Sequence, residues 1–212
     1  MKLSSISLSV ALTMTTSSTM RSASAFIPHQ QRAAVLPTGG ATRAFLFDKL
    51  FSTSSGKLPV MAEEDVMSPK AHGTSEKPVQ KNLRWNCDFD TADRICNFNR
   101  HYAEHAGYWQ TTEFLKSIKE EEQPIKFYDS VTGVHLFTAP VGRTMEEFLL
   151  ESQKHGWPSF RDEETVWDSV RCLKDGECVS VTGTHLGHNI PDKSGNRYCI
   201  NLVSVAGTPA ES

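Results

Sequence analysis

The chain has 212 residues, 38% of them hydrophobic and 22% charged, which is enough for one globular domain of ordinary size plus a tail. The first 47 residues hold four basic side chains, Lys2, Arg21, Arg32 and Arg43, and no acidic one, so the 22 basic and 25 acidic residues of the whole chain leave 18 and 25 beyond them. A body this acidic, without a basic cluster, gives a polyanion no electrostatic foothold and excludes nucleic acid as the main partner.

At the N-terminus, Lys2 precedes a modestly apolar stretch from Ile6 to Met14, too short to span a bilayer, and then Ser22-Ala23-Ser24-Ala25-Phe26 places small residues where a signal peptidase cuts. From Phe26 to about Val60 the chain is rich in Ser, Thr, Ala and Arg, as transit peptides are. The Ala-Ser-Ala-Phe junction resembles the two-part presequence of algae with secondary plastids. It implies a signal peptide over 1–25, a transit peptide over 26–60 and a plastid (chloroplast) destination; the alternative is secretion. Residues 61–81, polar and carrying Pro69 and Pro78, read as a disordered linker.

An aromatic-rich extension over 82–119 follows, with Trp85, Phe89, Phe98, Tyr102, Tyr108, Trp109 and Phe114, and reads as a collar on the main body. Phe114, Leu115 and Ile118 have the spacing of a short helix, whereas Arg94, His101, Glu104 and His105 match no recognisable site. Between Lys126 and Pro140, apolar residues around Gly133 predict two strands meeting at a turn. Thr144-Met145-Glu146-Glu147 is a capping box, and Gly156 closes the helix it starts. From Val166 to Val205 come short β-prone runs separated by Gly, Pro and Asp, so the expected class is mainly β and antiparallel with a few short helices. The main domain spans 120–207 and a tail spans 208–212.

On a strand, Arg197, Cys199 and Asn201 share one face while Tyr198, Ile200 and Leu202 share the other. A guanidinium two residues from a thiol favours the nucleophilic thiolate, although a cysteine so placed also suits a structural role. Just upstream, Thr184-His185-Leu186-Gly187-His188-Asn189-Ile190-Pro191-Asp192 brings two imidazoles and a carboxylate, which supply protons near neutral pH. His185, His188 and Asp192 are also the residue types of a two-His, one-carboxylate metal site, as in an oxygenase or cupin-like protein. Five cysteines, Cys87, Cys96, Cys172, Cys178 and Cys199, cannot all pair within one chain, and no Cys-x-x-Cys occurs.

Gly156-Trp157-Pro158-Ser159-Phe160, Gly183-Thr184-His185-Leu186-Gly187-His188, Asp192 and Arg197-Tyr198-Cys199-Ile200-Asn201, in this order, resemble the signature of the methionine-R-sulfoxide reductase B (SelR) family over about Pro124–Gly207. The resemblance implies two antiparallel β-sheets with short helices. It implies an enzyme that reduces methionine-R-sulfoxide in oxidised proteins or peptides through a sulfenic acid on Cys199. His188 and Asp192 match the positions for proton supply and oxygen binding, Arg197 and Asn201 those that orient the thiolate, and Trp157, His185 and Phe160 the substrate-binding positions. The zinc-binding Cys-x-x-Cys pairs of many relatives read Asp129, Thr132, Val179 and Thr182 here, so no metal and no cofactor is expected. The usual recycling cysteine reads His155, leaving Cys87, Cys96, Cys172 or Cys178 to resolve the sulfenic acid, or an external thiol of thioredoxin, glutaredoxin or glutathione type. A non-catalytic sulfoxide-binding module is the alternative, and no membrane span is expected in the mature protein.

Overall fold

The computed structural model describes residues 57–210, so the expected signal peptide, most of the expected transit peptide and the last two residues lie outside the described part. Two antiparallel sheets organise it. β1 (Ile125–Tyr128) and β2 (His135–Ala139) form a hairpin with Phe127 opposite Phe137. The larger sheet runs in the order β3 (Ser159–Phe160), β7 (Tyr198–Ile200), β6 (His185–Asn189), β5 (Glu177–Ser180), β4 (Val170–Cys172), with every neighbouring pair antiparallel. Four short helices accompany the sheets, α1 (Phe89–Asp93), α2 (Tyr108–Thr111), α3 (Phe114–Glu120) and α4 (Met145–His155), and α1 runs on into a wider turn over Arg94–Phe98. None is long and apolar enough to cross a membrane.

The capping box of α4 forms as expected: Thr144 Oγ1 accepts the Glu147 N–H, and Glu147 reaches back to the Thr144 N–H. Gly156 closes the helix at φ 91°, a left-handed conformation that glycine adopts without strain. The helix therefore stops directly before Trp157.

The aromatic extension is not a collar but part of the one core. Trp85, Ile95, Cys96, Trp109 and Phe114 are buried in the same apolar cluster as Phe127, Phe137, Phe148 and Phe160 of the sheets and α4. Trp85 and Phe114 meet edge to face with ring centroids 4.9 Å apart, and both lie against Phe127 of β1. The polar stretch 61–81, expected to be disordered, is also docked. The Ala62 N–H donates to the Cys172 carbonyl, and the Cys172 N–H donates to Val60, so this segment pairs with the edge of β4. Met67 packs with Leu173 and Val179, and Val79 is buried. Few apolar residues are needed when backbone pairing satisfies the edge and each apolar side chain finds a pocket.

Candidate active site

Strand pairing builds the site row by row. Glu177 of β5 stands opposite His188 of β6, His188 opposite Cys199 of β7, and Cys199 opposite Ser159 of β3, so one cross-strand row carries a carboxylate, an imidazole, a thiol and a hydroxyl. The next row, Cys178, Gly187 and Ile200, faces the core. Gly187 is required there because a Cβ on it would lie 2.1 Å from the Cys199 carbonyl oxygen.

A cavity of about 150 Å³ opens over this row, lined by His101, Tyr102, Trp157, His185, His188 and Cys199, with Ala103, Gly187, Ile190 and Asn201 filling the remaining wall. The Arg197 guanidinium Nη1 lies 2.5 Å from Cys199 Sγ, which sets a positive charge against the half-buried sulfur, and Ser159 Oγ is 3.9 Å away on the other side. His185 and His188 have ring centroids 5.6 Å apart although they are three residues apart on one strand. A bulge between Cys178 and Val179 of the partner strand breaks the alternation, so that Val179 faces His185 and the intervening Leu186 turns into the core. Burial, with His185 close by, holds His188 below the ordinary imidazole range, which favours the neutral ring.

Several expected roles are changed by the geometry. Phe160 is fully buried and stacks on Phe137 at 4.3 Å, so it is a core residue and not a substrate contact. Asp192 does not line the cavity. It accepts from Arg161, with Arg197 Nε 3.5 Å away, and those partners together with the Ser194 N–H hold its carboxyl down to about 2. It is an anion that anchors arginines and not a proton donor near neutrality. Asn201 has both amide atoms engaged, Nδ2 by the Leu186 carbonyl and Oδ1 by the Glu104 N–H, so it ties β6 to the extension and does not touch the sulfur.

Cys87, Cys96, Cys172 and Cys178 do not reach the cavity. All four are buried, and burial pushes the thiols of Cys87, Cys96 and Cys178 well above their ordinary range, which suppresses nucleophilicity. The Cys172 and Cys178 sulfurs are 3.5 Å apart on the core face, in the row next to that of Cys199. The metal triad is likewise not assembled: His185 Nδ1 is bound to Glu177, and among the described residues His185, His188 and Asp192 do not converge. Glu151, His155 and Asp192 do converge, but Arg143 and Arg161 occupy the Glu151 carboxylate and Arg161 that of Asp192, so the charge a cation would meet is already neutralised.

Residues to which the sequence assigned no site complete the pocket. His101, Tyr102 and Ala103 bring the extension to its mouth. Glu104 is a hub: its carbonyl accepts from Trp157 Nε1 at 3.2 Å, and its buried carboxylate accepts the N–H groups of Leu202 and Val203 just beyond the Cys199 strand. No local periodicity announces such contacts, because they join residues 53 to 99 positions apart; the one hint is an acidic residue set among aromatics.

Burial outweighs those two hydrogen bonds and raises the Glu104 carboxyl to about 7. A carboxyl whose pKa is higher in the folded chain contributes stability that is complete below about pH 4.5 and lost as pH rises through about 7, a change on the order of 3 kcal/mol. Thermal melts of the full chain are therefore expected to fall between pH 5 and 8, and to lose most of that slope in Glu104→Gln. An unchanged slope in the variant would assign the pH dependence elsewhere.

The arrangement defines a class of cysteine-centred pocket on an antiparallel sheet, with a guanidinium on the sulfur and imidazoles and an indole as walls. The chain is 31% identical over 107 residues to a peptide methionine sulfoxide reductase MsrB of Methanosarcina mazei, an alignment that covers 44% of this chain and 76% of that protein. The chain belongs to the peptide methionine sulfoxide reductase MsrB family. No protein-family profile and no solved structure matches it.

The zinc site that the family resemblance implies for some members does not fit the residues present. Of the four positions, Thr132 and Val179 offer no thiolate, and the Asp129 carboxylate is filled by the hydroxyls of Thr184 at 2.9 Å and Thr182 at 3.2 Å and by the Val131 N–H. Hydrogen bonds join the two turns here.

Proposed function

We propose that this protein is a peptide-methionine (R)-S-oxide reductase that repairs oxidised proteins after delivery to a plastid. The observation that carries this reading is the contact of the Arg197 guanidinium with Cys199 Sγ on the floor of a cavity faced by Trp157 and two imidazoles. Trp157 offers an apolar face for the methyl group of the sulfoxide, and the thiolate attacks the sulfoxide sulfur from below. The S–S bond so formed makes a sulfurane whose oxygen takes a proton from a pocket imidazole; the hydroxyl then passes to the Cys199 sulfur as the S–S bond and the methionine S–O bond both break, releasing methionine and leaving a sulfenic acid on Cys199. With the four other thiols buried away from the cavity, an external thiol of thioredoxin, glutaredoxin or glutathione type restores Cys199.

The test is stereochemical. The full chain with dithiothreitol is expected to reduce the R sulfoxide of a blocked methionine and to leave the S form untouched, and a dimedone adduct on Cys199 is expected when the reductant is omitted. Turnover of the S form would overturn the assignment. Binding of the R form without turnover would make the protein a recognition module instead.

A further inference from the structure

Two imidazoles line the cavity, and the chemistry above needs only one to carry the proton. Their surroundings differ. His188 has no hydrogen bond to a carboxylate among the described residues, and its ring is held by packing alone. His185 is clamped: its Nδ1 lies 2.6 Å from Glu177 Oε1, and both side chains are almost wholly buried. Glu177 is in turn held by Arg100 of the aromatic extension, whose Nε is 2.9 Å and whose Nη2 is 2.5 Å from Oε2. Burial alone would raise the Glu177 carboxyl, but the hydrogen bonds from His185 and Arg100 overcome this and keep it below its ordinary range. An ionised carboxylate only accepts, so the His185 nitrogen that faces it must carry the hydrogen. That leaves Nε2 as the ring's basic nitrogen, on a residue that lines the cavity.

We propose that Arg100 and Glu177 are positioning residues that lock His185 in its Nδ1–H form and thereby make His185, and not His188, the proton carrier of the reductase. The inference rests on the reductase reading. Nε2 takes the proton of the Cys199 thiol as the thiolate forms and returns it to the sulfoxide oxygen when the S–O bond breaks. Thiol and sulfoxide thus become sulfenic acid and thioether with no proton gained or lost. The aromatic extension then takes part in the chemistry, because it supplies the arginine that fixes the carboxylate.

The decisive variant is Glu177→Gln in the full chain. A carboxamide has one oxygen, and the charged Arg100 competes for it more strongly than a neutral imidazole does. The amide NH₂ then meets His185 Nδ1 and forces the hydrogen to Nε2. Long-range ¹H–¹⁵N spectra of imidazole-labelled protein are expected to show Nδ1–H for His185 in the parent and Nε2–H in the variant. kcat on the R sulfoxide is expected to fall about ten- to hundredfold, with KM changed by less than about twofold. In the double variant Arg100→Met/Glu177→Gln the amide oxygen is released to accept from Nδ1, and both the Nδ1–H signal and most of kcat are expected to return.

A merely structural pair would behave otherwise, since removing both charges would leave the double variant at least as impaired as the single one; that result overturns the proposal. So does a Glu177→Gln protein with parental kcat, or a parent whose His185 carries its hydrogen on Nε2. A parent with no turnover on either epimer would defeat the reductase reading itself, while the spectra still report on the clamp.

Discussion

Cys199→Ser is expected to abolish sulfoxide reduction, with a loss of at least about 10³-fold in kcat. A serine hydroxyl beside Arg197 accepts a hydrogen bond from the guanidinium but does not ionise near neutrality, and alkoxide-like oxygen has little affinity for the sulfoxide sulfur. The substitution is nearly isosteric, and the side chain sits half-buried at the cavity floor with no other strong partner than Arg197 and the distant Ser159 hydroxyl. The fold should therefore survive, with a melting temperature close to the parent's. The measurement is consumption of the R sulfoxide with dithiothreitol, alongside a thermal melt of each protein. Residual activity above a few per cent in a folded serine variant would move the nucleophile away from Cys199.

Asp129→Ala is expected to have the largest effect on stability, about 3 to 5 kcal/mol. The carboxylate is fully buried, and its loss strands the Thr184 hydroxyl and the Val131 N–H between the turn that follows β1 and the turn that joins β5 to β6, and takes one of two partners from the Thr182 hydroxyl, which keeps Ser180. At about 2–4 °C per kcal/mol for a chain of this size, the melting temperature should drop by roughly 6 to 20 °C. Asp129→Asn keeps one acceptor oxygen, and the hydroxyls can rotate to accept from its NH₂, so its cost should be well under half as large. Circular dichroism melts decide it. A loss below about 1 kcal/mol in the alanine variant would mean that these bonds do not substitute for the metal of the relatives.

Local signals in the chain carried much of this architecture. Thr144 and Glu147 announced α4, Gly156 its end, and the alternation over Arg197–Asn201 assigned Tyr198 and Ile200 to the buried side of β7, whereas Leu202 is buried in the tight turn beyond the strand. The hairpin around Gly133 was equally legible. What failed was non-local. Strict alternation would place His185 and His188 on opposite faces, and only the bulge at Leu186, a property of strand pairing, brings them together. Phe160 belongs to a motif that marks the pocket, yet its own side chain alternates into the core after Ser159. The polar composition of 61–81 hid an edge pairing made by backbone groups, which composition cannot express. The buried Glu104, Glu177 and Arg100 contacts depend on which distant segments meet, and only the folded chain shows that.

The row Glu177, His188, Cys199 and Ser159 is delivered by four adjacent strands of a single ladder. Hydrogen-bonded strands sit about 4.8 Å apart, so the separations between these groups are dictated by backbone pairing and not by the conformation of a mobile lid. Such a receptor is preorganised: a guest loses its own freedom on entering while the host has little left to lose. Selection of one mirror-image sulfoxide, as proposed above, would demand such stiff walls, since a pliable cleft would mould itself to either hand.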